Sequence, residues 1–251
     1  MLSIDRSLEY IGKKFNTNRC GVVEVVDYVN YKNILVKFTD GTLKYVRSGD
    51  LKNGEVRNPN HPNLLSVGFE GVGKYKVKSD VGLIWKSMIT RCYSAYYQEG
   101  KPTYIGCKVD EEWFNFQNFA SWCESREDYK KGFHLDKDLL VLGNKEYSKT
   151  NCCFLPSEIN SAITTNKPKR NSPLPLGVVV MNSGRYRGQC CVNGVQEFSD
   201  ATTNQEDAFL WYKSKKEGFV KELADKWKHM IDVRAYEALY KFEVGFEGRV
   251  R

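Results

Sequence analysis

Five residues in the segment HLDKDLLVLGNKEYSKTNCCFLPSEIN, running from His134 to Asn160, have types and spacing suited to metal-assisted hydrolysis of a phosphodiester. In a strand, alternate residues share a face, which sets His134, Asp136 and Asp138 on one side and Leu135 and Lys137 on the other. An imidazole and two carboxylates then fall within about 7 Å of strand, at roughly 3.3 Å per residue. Asp136 and Asp138 are candidate ligands of a divalent ion, which stabilises charge on a phosphate and on the leaving oxygen. His134 is the candidate general base for the attacking water. Asn151 returns towards the same point after a turn and supplies a further ligand. Lys137 is a candidate phosphate contact, and a base only if its surroundings held it neutral.

These residues need a turn and a helix after the strand, and a packed floor beneath it. Gly143-Asn144 supplies a turn, and the residues up to Asn160 can open a helix. Upstream, Trp85, Met88, Ile89, Cys92, Tyr93 and Tyr96 recur at helical spacing. A second helix is expected in DEEWFNFQNFASWCES, with Trp113, Phe116, Phe119, Ala120 and Cys123 on one face. The expected fold class is α+β with several domains. Residues 1–60 read as a small β-barrel-like (SH3-like) module, with a hairpin turn at Asp40-Gly41. A linker at 61–82, a core at 83–165 and a basic linker at 166–174 follow. Residues 175–232 read as three strands, with an Asn193-Gly194 turn, and an amphipathic helix capped by Thr203 with Glu206. A tail at 233–251 can add one more helix.

The composition narrows the function classes. A net charge of +7, spread along the chain, fits a polyanion such as nucleic acid. The first residues carry no apolar signal segment, and no run of about 18 apolar residues occurs. A cytoplasmic protein without a membrane span is therefore expected. The eight cysteines include the vicinal pairs Cys152-Cys153 and Cys190-Cys191 and no C-x-x-C pair. They read as reduced thiols filling apolar space. Zinc held by Cys92, Cys107 and Cys152 is the lesser alternative.

GCKVDEEWFNFQNFASW, then LDKDLLVLGNKEYSKTNCCFLP, resembles the phage HNH-like homing endonucleases, over Trp85 to Asn160. The resemblance implies a strand hairpin and helix clasping Mg2+ or Mn2+, double-stranded DNA as substrate and the host cytoplasm as location. Residue by residue, it carries over Asp136 and Asn151 as metal ligands, with Asn160 at the third ligand position. Where one subtype has Asp-His, this chain has Asp136-Lys137, which moves the base role to His134. LGVVVMNSGRYRGQCCVNGVQEFSDATTNQEDAFLWYKSK resembles the apetala/ERF-type DNA-binding fold. Gly177, Val178, Tyr186, Phe198, Thr203, Glu206, Ala208 and Tyr212 stand in that pattern's places, and Asp207 replaces its second Glu. That fold lays its sheet in the major groove, so Arg185, Arg187 and Gln189, alternating along one strand, are expected at base edges. Lys167, Lys169 and Arg170 are expected on phosphates. The N-terminal segment resembles, more weakly, a small module of such phage proteins, and is a candidate surface for a host or phage protein. Two readings follow: a metal-dependent DNA endonuclease, nicking or otherwise, or a catalytically degenerate relative that binds DNA or a host factor.

Overall fold

The computed structural model describes residues 7–164, 174–246 and 248–249. It is a mixed α/β structure with several separate sheets. The chain divides into two compact units, one of residues 1–95 and 111–121, the other of 96–110 and 122–251.

The first unit begins with one helical turn, α1 (Ser7–Tyr10), and an antiparallel meander. Its strands β1 (Lys14–Asn16), β2 (Val22–Asn30), β3 (Asn33–Phe38) and β4 (Leu43–Val46) lie in sequence order, with β1 and β4 as the edges. Alternation turns Val23, Val25, Ile34, Val36, Phe38 and Val46 to one face. They are buried there with Val56 and with Leu51 of the short helix α2 (Ser48–Lys52). At the β3–β4 turn Gly41 takes φ 85°, and Asp40 Oδ1 accepts the Thr42 amide at 3.0 Å. The stretch read as a linker, 61–82, is tied down within this unit. Phe69 bridges Asn115, and the Gln117 amide holds the backbone of Glu70 and Tyr75 at 3.0–3.2 Å.

Helix α3 (Asp80–Tyr93) starts five residues before Trp85, its first periodic apolar residue, because the Ser79 hydroxyl caps it by accepting the Gly82 amide at 3.2 Å. Trp85, Met88, Ile89 and Cys92 are buried as their spacing requires. Tyr96 is not: the helix ends at Ser94, and Tyr96 falls in the separate short helix α4 (Ala95–Gly100), 87% exposed. Trp113 closes a 3-10 turn, Glu111–Phe114, ahead of α5 (Phe116–Glu124). Its carbonyl accepts the Trp85 indole at 2.7 Å, fixing the buried Trp85 against Phe116.

In the second unit come β5 (Lys108–Val109), β6 (His134–Asp136), β7 (Glu146–Tyr147) and β8 (Cys153–Leu155). β5 pairs with β7 in parallel, and β6 with β8 antiparallel. The hairpin strands β6 and β8 are therefore joined by a long loop that contains β7, and helix α6 (Ser157–Ile163) follows at once. Three further strands, β9 (Val178–Val180), β10 (Tyr186–Val192) and β11 (Val195–Phe198), form an antiparallel sheet with β10 in the centre. Asn193 and Gly194 both have positive φ, 50° and 79°, the conformation of the mirror-image hairpin turn.

Helix α7 (Gln205–Trp227) covers this sheet and α8 (Val233–Tyr240) packs on α7. The cap of α7 is Asn204, whose side chain accepts the Glu206 amide at 2.9 Å, and not Thr203 as its spacing suggested. The helix sits close: a Cβ on Gly188 would stand 2.5 Å from the Ala208 carbonyl oxygen. One hydrophobic cluster joins the hairpin and the sheet. It holds Leu139, Cys153, Leu155, Ile159 and Ala162 together with Val178, Cys190, Phe209, Leu223 and Leu239. All eight cysteines are free thiols.

Candidate metal centre and nucleic-acid interface

Asp136 is the last residue of β6 and lies directly across from Cys153 of β8. Its Oδ1 accepts two backbone amides, Asp138 at 2.9 Å and Leu139 at 2.6 Å. This side-chain turn ends the strand. It overturns the expectation that Asp138 continues the His134–Asp136 face, because the chain has already bent when Asp138 is reached. Among the described residues, Asp136 Oδ2 has no hydrogen-bond partner. Burial pushes the Asp136 carboxyl above its ordinary value, and the charge of Asp138 adds to the rise. The Leu139 and Asp138 amides and the Lys137 charge oppose it without cancelling it.

Lys137 points away from that face and is buried. Its ammonium donates to Asp138 Oδ1 at 2.5 Å and to the Asn144 carbonyl at 2.8 Å. These two bonds tie the Lys137 side chain into the loop and turn it away from the His134–Asp136 face. A cavity of about 240 Å3 opens beside the pair, lined also by Thr103, Asn144 and Lys145.

His134 is exposed at the start of β6, paired through its backbone with Leu155. Asn151 is half-buried two residues before Cys153, the partner of Asp136. Its Oδ1 accepts the Thr150 hydroxyl at 3.3 Å, and its Nδ2 reaches Asn144 Oδ1 at 3.5 Å. Asn160 is on α6 with a half-buried side chain. Among the described residues no three His, Cys, Asp or Glu side chains gather closely enough to hold a metal ion. A hard divalent ion such as Mg2+ does not need three, since it binds through one or two carboxylates and keeps waters or phosphate oxygens for the rest. Asp136 offers such an ion a carboxylate drawn away from water, while Asn151 lies in the turn before β8 and Asn160 on α6.

Residues with no local sequence signal hold this arrangement. Asn144 donates to the carbonyls of Lys137 and Glu146, both at 2.7 Å, and closes the loop between β6 and β7. Asp128 accepts the Phe154 amide at 3.0 Å and Arg126 Nε at 2.7 Å. Arg126 also donates to Asp232, the cap of α8, and Asp232 holds Arg234. Arg234 donates in turn to the Thr150 carbonyl at 2.8 Å, next to Asn151. Only the "LGNKEY" turn hinted at Asn144. The Arg126–Asp232 link spans a separation that no spacing pattern could reveal.

On the three-stranded sheet, Gly188 and Cys190 face the core, while Arg185, Arg187 and Gln189 alternate with them on the outward side. Arg187 lays its guanidinium 3.8 Å over the Phe198 ring. Gln189 is the cross-strand neighbour of Phe198. Arg185 lies just before β10 and donates to the Ala201 carbonyl. Lys167, Lys169 and Arg170 lie outside the described residues. No described helix is long and apolar enough to cross a membrane. No family model, no curated protein and no solved structure matches this chain.

Proposed function

We propose that the chain is an HNH-like, metal-dependent DNA endonuclease of the phage homing type, nicking or otherwise, with an apetala/ERF-like sheet as its DNA reader. The observation that carries this reading is the β6–β8–α6 order, with Asp136 at the end of the first strand and one of its oxygens unpartnered. Asp136 and Asn151 would hold Mg2+ or Mn2+, and Asn160 is the further candidate ligand. A bound ion supplies charge stabilisation for the scissile phosphate and the leaving oxygen. His134, on the Asp136 strand and open to solvent, takes the proton of the attacking water. Lys137 and Lys145 line a cavity that would take a neighbouring phosphate. Arg187 and Gln189 meet base edges in duplex DNA, and Arg185 and the basic segment Lys167, Lys169 and Arg170 track the backbone.

A second reading is favoured by Lys137. It stands where a base is expected in one subtype and is bound as a structural donor. In that reading the hairpin is a relic, and the protein binds DNA, or a host or phage protein through its N-terminal sheet. Supercoiled plasmid incubated with Mg2+ or Mn2+, with EDTA, and with the Asp136→Ala variant separates the two. Nicked or linear product that needs both metal and Asp136 supports the nuclease. A salt-sensitive mobility shift with no product supports the binder.

A further inference from the structure

We infer that the hairpin and the three-stranded sheet engage DNA as one rigid body, so the phosphodiester presented to Asp136 sits at a fixed offset from the bases met by Arg187 and Gln189. The inference rests on the DNA-binding and nuclease reading above and adds the device that sets the cut position. The resemblances divide this region into two modules joined by a basic linker. Two tethered modules would place cuts over a range set by the linker's reach.

The packing gives a different arrangement. Hairpin residues Cys153 and Leu155 and the α6 residues Ile159 and Ala162 belong to the same buried cluster as Val178 and Cys190 of the sheet. α7 is the bar between them. Near its start, Ala208 presses on Gly188 of the sheet. At its far end, Lys226 Nζ bonds both oxygens of Glu158 on α6, at 3.0 and 2.7 Å, and the Trp227 indole bonds Glu158 Oε2 at 3.0 Å. At roughly 1.5 Å per residue, the helix from Ala208 to Lys226 spans about 27 Å. That is the length of about eight base pairs, at ~3.4 Å each. A second tie runs from Arg126 through Asp232 and Arg234 to the Thr150 carbonyl beside Asn151. A continuous apolar core with polar clasps at its edges resists hinge motion, because packed interiors are not continuously deformable. Glu158 is therefore a positioning residue, acting through α7.

The test lengthens the linker without touching the core. A nine-residue Gly-Ser insertion between Asn171 and Ser172, which leaves the run from Lys167 to Arg170 intact, is compared with the parent protein on a duplex selected for binding from a random pool. The readouts are end-mapped products with Mg2+ and a hydroxyl-radical footprint. The rigid body predicts the same cut bond and one unchanged continuous footprint. Cuts that spread along the DNA, or a footprint that splits in two, overturn it and leave the nuclease reading standing. If the parent binds but never cuts, the nuclease reading falls, and an unchanged footprint still supports the rigid body. If the parent does not bind DNA, both fall.

Discussion

Two carboxylates in the second unit, Asp136 and Asp232, are both largely withdrawn from water, and they titrate in opposite directions. Burial by itself raises Asp232, but hydrogen bonds from Arg234 and Arg126 reverse this and bring it down to about 2. Burial raises Asp136 too, and there no guanidinium answers it. Two backbone amides satisfy one oxygen of Asp136 and leave the other over. A carboxylate whose charge is compensated within the fold is a structural part. One that is desolvated and under-compensated is a candidate for a cation or for proton chemistry. The same residue type is thus fully compensated at one place and under-compensated at another.

The comparison can be broken first at Asp232. Asp232→Ala leaves Arg234 without its carboxylate and removes the cap of α8. A loss of about 1–2 kcal/mol is expected from losing the cap and these partly exposed ion pairs, read as a lower denaturation midpoint. Asp136→Asn keeps an acceptor for the two amides and discards a costly charge. Its stability in the absence of metal should hold or rise, while metal-dependent cleavage drops by at least about 100-fold. Equal destabilisation by both variants would erase the distinction.

Acid sharpens it. The folded value of Asp232 lies below its ordinary value, so its contribution is complete above the ordinary carboxylate range and fades as pH falls towards about 2. Asp136 has the reverse sign: its ionised form costs stability at neutral pH, and protonation relieves the cost. At neutral pH the order of stability should be Asp136→Asn, wild type, Asp232→Ala, with the gaps closing on acidification. Chemical denaturation across pH checks this. A separate effect is expected on the sheet. Arg187→Ala should weaken binding to a selected duplex by about 1–3 kcal/mol and leave the metal dependence of Asp136 intact.

Much of the frame was legible. The alternation in β2 and β3, the Asp40-Gly41 and Asn193-Gly194 turns and the apolar stripes of α3 and α5 are local signals, and the structure follows them. The face shared by His134, Asp136 and Asp138 was only half right, because side-chain hydrogen bonding ended the strand at Asp136. Periodicity carries no information about such a turn. The role of Lys137 was hidden for a similar reason: its partners Asp138 and Asn144 are set by how the loop folds back. The common core of hairpin and sheet depends on packing between distant segments, where composition suggested two modules and a linker.

The central claim is that Asp136 is a metal-holding carboxylate, and Mn2+ binding followed by electron paramagnetic resonance tests it most directly. Wild-type protein, Asp136→Asn and Asp232→Asn would be titrated at neutral pH and again in acid. The account predicts one bound ion in the wild type, weakened in acid as Asp136 takes a proton. It predicts loss of that ion in Asp136→Asn and its retention in folded Asp232→Asn. Binding that is indifferent to Asp136, or absent from the wild type at every pH, would contradict it.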